Sequence, residues 1–128
     1  MSLKPTSRRH FHFQPHQLPC TEKGHLHCWS SHWAAPQELP YFKGHFPNRS
    51  ILPAVATIDA SLQLLQQILQ KPVELKTILN SKFMFPIEPL LPLQIEVHQT
   101  QTWEVRWFSE DDRSKVLANL QIGIAGNN

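Results

Sequence analysis

The sequence predicts an α+β domain in which a curved antiparallel sheet surrounds one long central helix. A single uncharged-to-apolar stretch at helical spacing, interrupted only by Asp59, runs from Pro53 to about Gln70. After Pro72 the apolar period changes from 3.6 to 2 and stays there to the end of the chain. The 128 residues suffice for one hydrophobic core and are too few for two. Residues 24–128 are therefore expected to form one domain, preceded by residues 1–23 as an N-terminal extension or edge strand.

Each element follows from local pattern. Residues 1–23 are rich in Pro, His and basic side chains, and only the alternation His10, Phe11, His12, Phe13 suggests a strand. From His25 to Trp33, Leu26, Cys28 and Ser30 alternate with His27 and Trp29, which predicts a strand ending before Pro36. The segment from Pro36 to Leu52 carries Pro40 and Pro47 and reads as a loop, and Pro53 supplies the fixed φ favoured in a first helical turn. Val55, Ile58, Leu62, Leu65 and Leu69 then recur at helical spacing, with Ala54, Ala56 and Ala60 keeping the early turns slim and Gln63, Gln66, Gln67 and Gln70 marking a wetter end. Leu75, Thr77, Leu79, Ser81, Phe83 and Phe85 predict a long strand, stopped by Pro86, Pro89 and Pro92. Leu93, Ile95 and Val97, then Trp103, Val105 and Trp107, give two half-buried antiparallel strands. The polar loop from Ser109 to Ser114 leads into a last strand with Val116, Ala118, Leu120, Ile122 and Ile124 facing inward.

Composition narrows the function. Charged residues make up 17% of the chain against roughly 25% in ordinary soluble domains, and 41% of residues are hydrophobic, so some apolar surface is expected to meet a partner subunit. A net charge of +2 is too small to argue for nucleic acid, although the scattered lysines suit transient docking of an acidic carrier. No run of about 18 uncharged apolar residues exists, which excludes a membrane span by a helix. The start of the chain lacks the apolar stretch of a secretion signal, so a cytoplasmic protein with Cys20 and Cys28 as reduced thiols is expected. His10, His12, His16, Cys20, His25, His27, Cys28 and His32 form a conspicuous stretch, but no standard metal-ligand spacing appears and no metal is assigned.

The chemistry concentrates between Tyr41 and Asp59, in Y-F-K-G-H-F-P-N-R-S-I-L-P-A-V-A-T-I-D. His45 lies in a proline-bounded loop, and Asp59 is the one charged residue from Ile51 to Gln70. A carboxylic acid buried without an opposite charge favours its protonated form and can donate a proton at neutral pH. Imidazole titrates near neutrality and can accept one. Such a base and acid on opposite sides of a substrate are what elimination of water requires, one taking a C–H proton while the other protonates the departing hydroxyl.

This ordered segment resembles the active-site signature of the beta-hydroxyacyl-carrier-protein dehydratases, which have the hotdog fold. The likeness extends from about Leu39 to Ile124, through Phe85, Pro86, Pro89, Leu93 and Glu96, and divergence within it is similar to the aryl-polyene type. It implies His45 as the base for the C2 proton of a 3-hydroxyacyl thioester and Asp59 as the acid at the C3 hydroxyl. It further implies the backbone N–H of Ala54 on the thioester carbonyl, with Phe46, Val55 and Leu62 about the acyl chain. No cofactor is implied; the substrate would be carried by acyl carrier protein or coenzyme A, and the site would be completed in a homodimer or a higher assembly of dimers. The chain departs from the family pattern at Asn48, Ser50 and Leu90-Leu91, and at Ala54, where a glycine is usual. Alternatives are a non-catalytic acyl-binding hotdog subunit, a hotdog acyl-CoA hydratase, which would place an acid shortly before the histidine, or a thioesterase, which would lack the His-Phe-Pro loop.

Overall fold

A computed structural model of the chain describes residues 11–42 and 51–126. Six strands form one antiparallel sheet: β1 (His16–Leu18), β2 (His27–Trp33), β3 (Leu75–Phe83), β4 (Leu93–Gln99), β5 (Trp103–Ser109) and β6 (Asp112–Ile124). Their order across the sheet is β1-β2-β4-β5-β6-β3, so the chain crosses from β2 to the far edge at β3 and then back from β3 to β4. The helix α1 (Ala54–Leu69) and a short 3-10 turn (Pro40–Phe42) lie in the first of these crossovers.

Helix and sheet share one core. Ala56, Ala60, Leu64 and Leu65 of α1 pack in the same cluster as Leu93, Ile95, Val97, Val105, Trp107, Leu120 and Ile122. Alternation along each strand sends these sheet residues to one face. Small side chains at positions 56 and 60 let the helix approach the sheet closely, and a hydrogen bond fixes where it sits. Trp107 Nε1–H donates to Ser61 Oγ at 3.0 Å, and Ser61 Oγ–H donates back to the Thr57 carbonyl at 2.8 Å. The helix ends at Gln70, whose left-handed backbone (φ 56°) lets its N–H reach the Gln66 carbonyl before Lys71-Pro72.

Several details differ from the sequence pattern. Val55 is exposed (47%) and outside the core, whereas Gln63, expected at the wet end, is buried. The buried helical face runs through positions 56, 60 and 64 as well as 61 and 65, a stripe wider than the leucine spacing alone suggests. Phe11 and Phe13 are not in a strand; both are buried and their rings pack on Trp33. In β6, Leu117 is buried while Val116 is only half-buried, because the register slips by one residue where Trp107 faces Ala118 and Phe108 faces Val116. Strand β3 pairs only with β6 among the described strands, and Ile78, Leu79 and Phe83 on it are exposed, with Met84 and Phe85 following.

Cys20 and Cys28 are joined in a disulfide, with Cα atoms 5.6 Å apart, which corrects the expectation of reduced thiols. The short β1 pairs antiparallel with β2 so that Leu18 lies opposite Cys28, and the turn through Gly24 (φ +85°) brings Cys20 back beside it. That proximity is invisible in a separation of eight residues. A cytoplasmic location loses the support it drew from reduced thiols. Among the described residues no helix is long and apolar enough to cross a membrane.

The connection between β1 and β2 folds over the sheet face opposite α1. Arg106 donates from both terminal nitrogens to Glu22, at 2.7 and 3.0 Å. That hydrogen bond, reinforced by the guanidinium charge, holds the Glu22 carboxyl down at about 2. The folded value lies below the ordinary 4.5, so the tether's stabilisation is present above about pH 4.5 and is lost as pH falls towards 2. The stability difference between wild type and Glu22→Gln should therefore shrink on acidification from about pH 5 to about pH 2. A difference that stays constant over that range would remove the tether from the account. In the core, Ser61→Ala strands the Trp107 N–H and should cost about 1–3 kcal/mol by urea unfolding. A loss below a few tenths would show that the bond does not seat the helix.

Candidate active site

The segment that carries His45 is pinned at both ends. On the outgoing side Leu39 and Phe42 are buried, and the Phe42 N–H donates to the Leu39 carbonyl at 3.0 Å in the 3-10 turn. On the returning side Leu52 is buried, and its N–H donates to the Ile87 carbonyl at 2.8 Å. Residues 43–50 lie outside the described residues, so His45 and Phe46 remain sequence expectations.

A direct bond closes the segment. Tyr41 Oη–H donates to Asp59 Oδ2 at 2.7 Å, joining a residue just before the histidine loop to the helical carboxyl beyond it. Asp59 is 6% exposed, as its lone position on an apolar helix predicted. The phenol orients the carboxyl and fixes the distance between α1 and the start of the loop. Sequence reasoning did not single out Tyr41, because no spacing rule links residues 18 apart across a loop; its place at the head of the motif was the available signal.

The other expected positions divide. Ala54 opens α1 ahead of the Ala56 and Thr57 N–H groups that donate to the Pro53 carbonyl at 3.0 and 3.1 Å, so its own N–H lies in the part of the first turn that has no intrahelical carbonyl to bond. That amide precedes Asp59 by about 7.5 Å along the helix axis. Ala54 and Val55 are exposed in the single chain, and Leu62 is buried. One turn beyond Asp59, Gln63 accepts a hydrogen bond at Oε1 from Gln66, while its buried Nε2 has no hydrogen-bond partner among the described residues. An i, i+4 relation to Asp59 was the sequence signal for it, and counting the glutamines as a polar end concealed it. The site thus offers a buried oxygen acid held by a phenol, free helix amides and an unused amide donor: proton transfer beside an oxyanion-binding terminus.

Among the described residues, an antiparallel sheet carries one α-helix with a buried carboxyl, in a chain whose sequence holds a His-Phe-Pro motif ahead of that helix, and this combination fits the class of hotdog-fold dehydratases. Within it the chain belongs to the ApeI-like family, whose model, described as ApeI dehydratase, matches residues 21–121. A curated relative is the 3-hydroxyacyl-[acyl-carrier-protein] dehydratase FabZ of Caulobacter sp. (strain K31), 34% identical over 71 residues. That match covers 48% of this chain and 44% of the relative, so the chain spans less than half of that protein's length. Among solved structures, the dehydratase heterocomplex ApeI:P from Xenorhabdus doucetiae aligns over 87% of this chain and 97% of its own, with a TM-score of 0.66 and 23% identity. An uncharacterised protein from Erwinia carotovora subsp. atroseptica aligns over 88% and 96%, with a TM-score of 0.65 and 20% identity. These two likenesses establish the fold.

The Tyr41–Asp59 bond is testable without substrate. Tyr41→Phe should lower stability by about 1–3 kcal/mol, the usual cost of depriving a buried acceptor of its donor. A double-mutant cycle with Asp59→Ala should return a coupling of at least about 0.5 kcal/mol. Strict additivity would mean that the two groups do not act on each other.

Proposed function

We infer that the chain is a cofactor-independent hydro-lyase that removes water from a 3-hydroxyacyl thioester to give the trans-2-enoyl thioester. The observation that carries this reading is the buried Asp59 carboxyl, held by Tyr41 on the helix that follows the His-Phe-Pro loop of a dehydratase-family chain. In the reaction His45 takes the C2 proton, the C2–H electron pair forms the new C=C bond, and the C3–O bond breaks. Asp59 supplies the proton with which the hydroxyl leaves as water. Negative charge developing on the thioester oxygen is met by the Ala54 N–H at the positive end of α1. An alanine there retains the donor, since only the main chain is needed. Tyr41 acts through Asp59 as a positioning residue, and Phe46, Val55 and Leu62 line the acyl chain.

Acyl carrier protein is the proposed carrier, in line with the activity for which the FabZ relative is named and with the mildly basic chain. A homodimer is proposed for the assembly. In its favour, β3 is an edge strand whose outer side is unpaired among the described residues, and it exposes Ile78, Leu79 and Phe83. Pairing of that edge with a second copy would cover apolar surface and the open hydrogen-bonding groups together.

Incubation of the purified protein with 3-hydroxyacyl thioesters of acyl carrier protein and of coenzyme A, followed for enoyl formation, tests the reading. Wild type should turn over, and His45→Ala and Asp59→Asn should each lower kcat/KM by about 10²–10⁴-fold. Wild-type protein that binds the acyl carrier yet forms no enoyl product on any chain length would favour the acyl-binding subunit and sink the enzymatic reading.

A further inference from the structure

The face of the sheet opposite α1 carries a second cluster that the dehydratase reading does not use. Cys28 on β2 and His98 on β4 are directly opposite in the antiparallel register, so both side chains project to the same side. That side is the one away from the helix, since their neighbours Trp29 and Val97 point into the shared core. Both residues are buried, at 2% and 6% exposure, beneath the connection that carries Cys20, Glu22 and His25. Among the described residues, His25, Cys28 and His98 place one ligand atom each within 4.8 Å of one another. His25 Nδ1 lies 2.8 Å from His98 Nδ1, and Cys28 Sγ lies 3.3 Å from the same His98 nitrogen. Cys20 Sγ is bonded to Cys28 Sγ, so reduction of that bond would release a fourth donor beside the other three.

The outward nitrogens explain why this convergence suits a cation. His98 Nε2 lies 3.0 Å from Glu96 Oε1, a carboxylate that only accepts, so that nitrogen carries the hydrogen. His25 Nε2 faces Glu22 at 3.8 Å. His25 Nε2 is beyond hydrogen-bonding distance of Glu22, so His25 carries its hydrogen on Nδ1 and donates it to the His98 Nδ1 lone pair at 2.8 Å; a metal ion that replaced this hydrogen would have both Nδ1 atoms as ligands. A carboxylate behind each ligating imidazole is the usual outer support of a zinc site. Neighbouring donors around a tetrahedral zinc are about 3.3–3.8 Å apart, given bonds of about 2.0 Å to nitrogen and 2.3 Å to sulfur. Ligation therefore asks for side-chain shifts of about 1 Å.

We propose that Cys20, His25, Cys28 and His98 form a structural Zn²⁺ site in the reduced chain, fastening the connection between β1 and β2 to the outer face of the sheet. A dithiol reductant passes two electrons and two protons to the Cys20–Cys28 bond and is itself oxidised to a disulfide. Zinc then displaces the two thiol protons to solvent as two Zn–S bonds form. Disulfide and metal are thus alternative fasteners of one connection. The site closes with four protein ligands and no open position, and it lies across the sheet from Asp59, which assigns it to stability and not to the elimination.

The test uses the full chain, reduced by a phosphine that is then removed under anaerobic conditions, and titrated with Zn²⁺ against a chromogenic chelator and separately with Co²⁺. One equivalent should bind tightly, the Co²⁺ form should show the absorption of a tetrahedral site with sulfur charge transfer, and melting temperature should rise. The disulfide form should lack this binding. Cys28→Ser and His98→Ala should abolish it, His16→Ala and His32→Ala should retain it, and Glu96→Gln should weaken it by about 10–100-fold. Should the buried variants fail to fold, Cys20→Ser and His25→Gln, both on the surface connection, provide the same reading. Stoichiometry and spectrum that survive the loss of these ligands, or a Co²⁺ spectrum of octahedral type, would overturn the site and assign the binding to exposed histidines.

Discussion

The seat of α1 on the sheet depends on one buried polar contact within an otherwise apolar interface. Trp107 Nε1–H meets Ser61 Oγ, which is itself tied to the Thr57 carbonyl. Apolar packing is non-directional and would tolerate a helix rotated or slid by part of a turn. A buried N–H with a single acceptor does not tolerate it, because leaving that donor unpaired costs more than packing on a shifted register would return. The rotation fixed at Ser61 also fixes Asp59, two residues earlier, and turns its carboxyl towards Tyr41 and away from solvent.

The two faces of the sheet have separate tasks as a consequence. Alternation along β2, β4 and β5 sends Trp33, Ile95, Val97, Val105 and Trp107 to the helix side. Glu96, His98, Glu104 and Arg106 go to the other. That outer face is not a simple solvated surface. The connection after β1 covers part of it, and Arg106, Glu22, His25, His98 and Glu96 join in one polar network beneath or beside that connection. Glu96 and His98 are buried although they occupy the polar positions of an alternating strand. A residue placed on the wet side by alternation can still be buried when a loop from elsewhere lies over it.

The elements whose signal is local were legible. Helix α1 begins and ends within a residue of the Pro53 and Gln70 boundaries. Strands β4, β5 and β6 follow the period-two pattern, and the isolation of Asp59 on an apolar helix anticipated its burial. Errors fell where a non-local partner decides. Val55 fits the leucine stripe and is nevertheless exposed, and Gln63 fits a polar stripe and is buried. Phe11 and Phe13 show an alternation that packs as an irregular segment against Trp33. The one-residue slip beside Leu117 puts that residue in the core in place of Val116, while Ala118, Leu120, Ile122 and Ile124 face inward as expected.

By itself the sequence determined the α+β class, the order of helix and strands, and the motif that contains His45, Ala54 and Asp59. These rest on backbone propensity and side-chain periodicity, which act over a few neighbouring residues. Tertiary structure alone decided that Tyr41 holds Asp59, that Cys20 meets Cys28, and that His25, Cys28 and His98 converge. Each depends on which elements come together in space: the 3-10 turn against α1 for Tyr41, the β1–β2 pairing for Cys20, and the β2–β4 register for His98. Register across β2 and β4 sets residues 28 and 98 side by side, and no property of either residue's own neighbourhood carries that information.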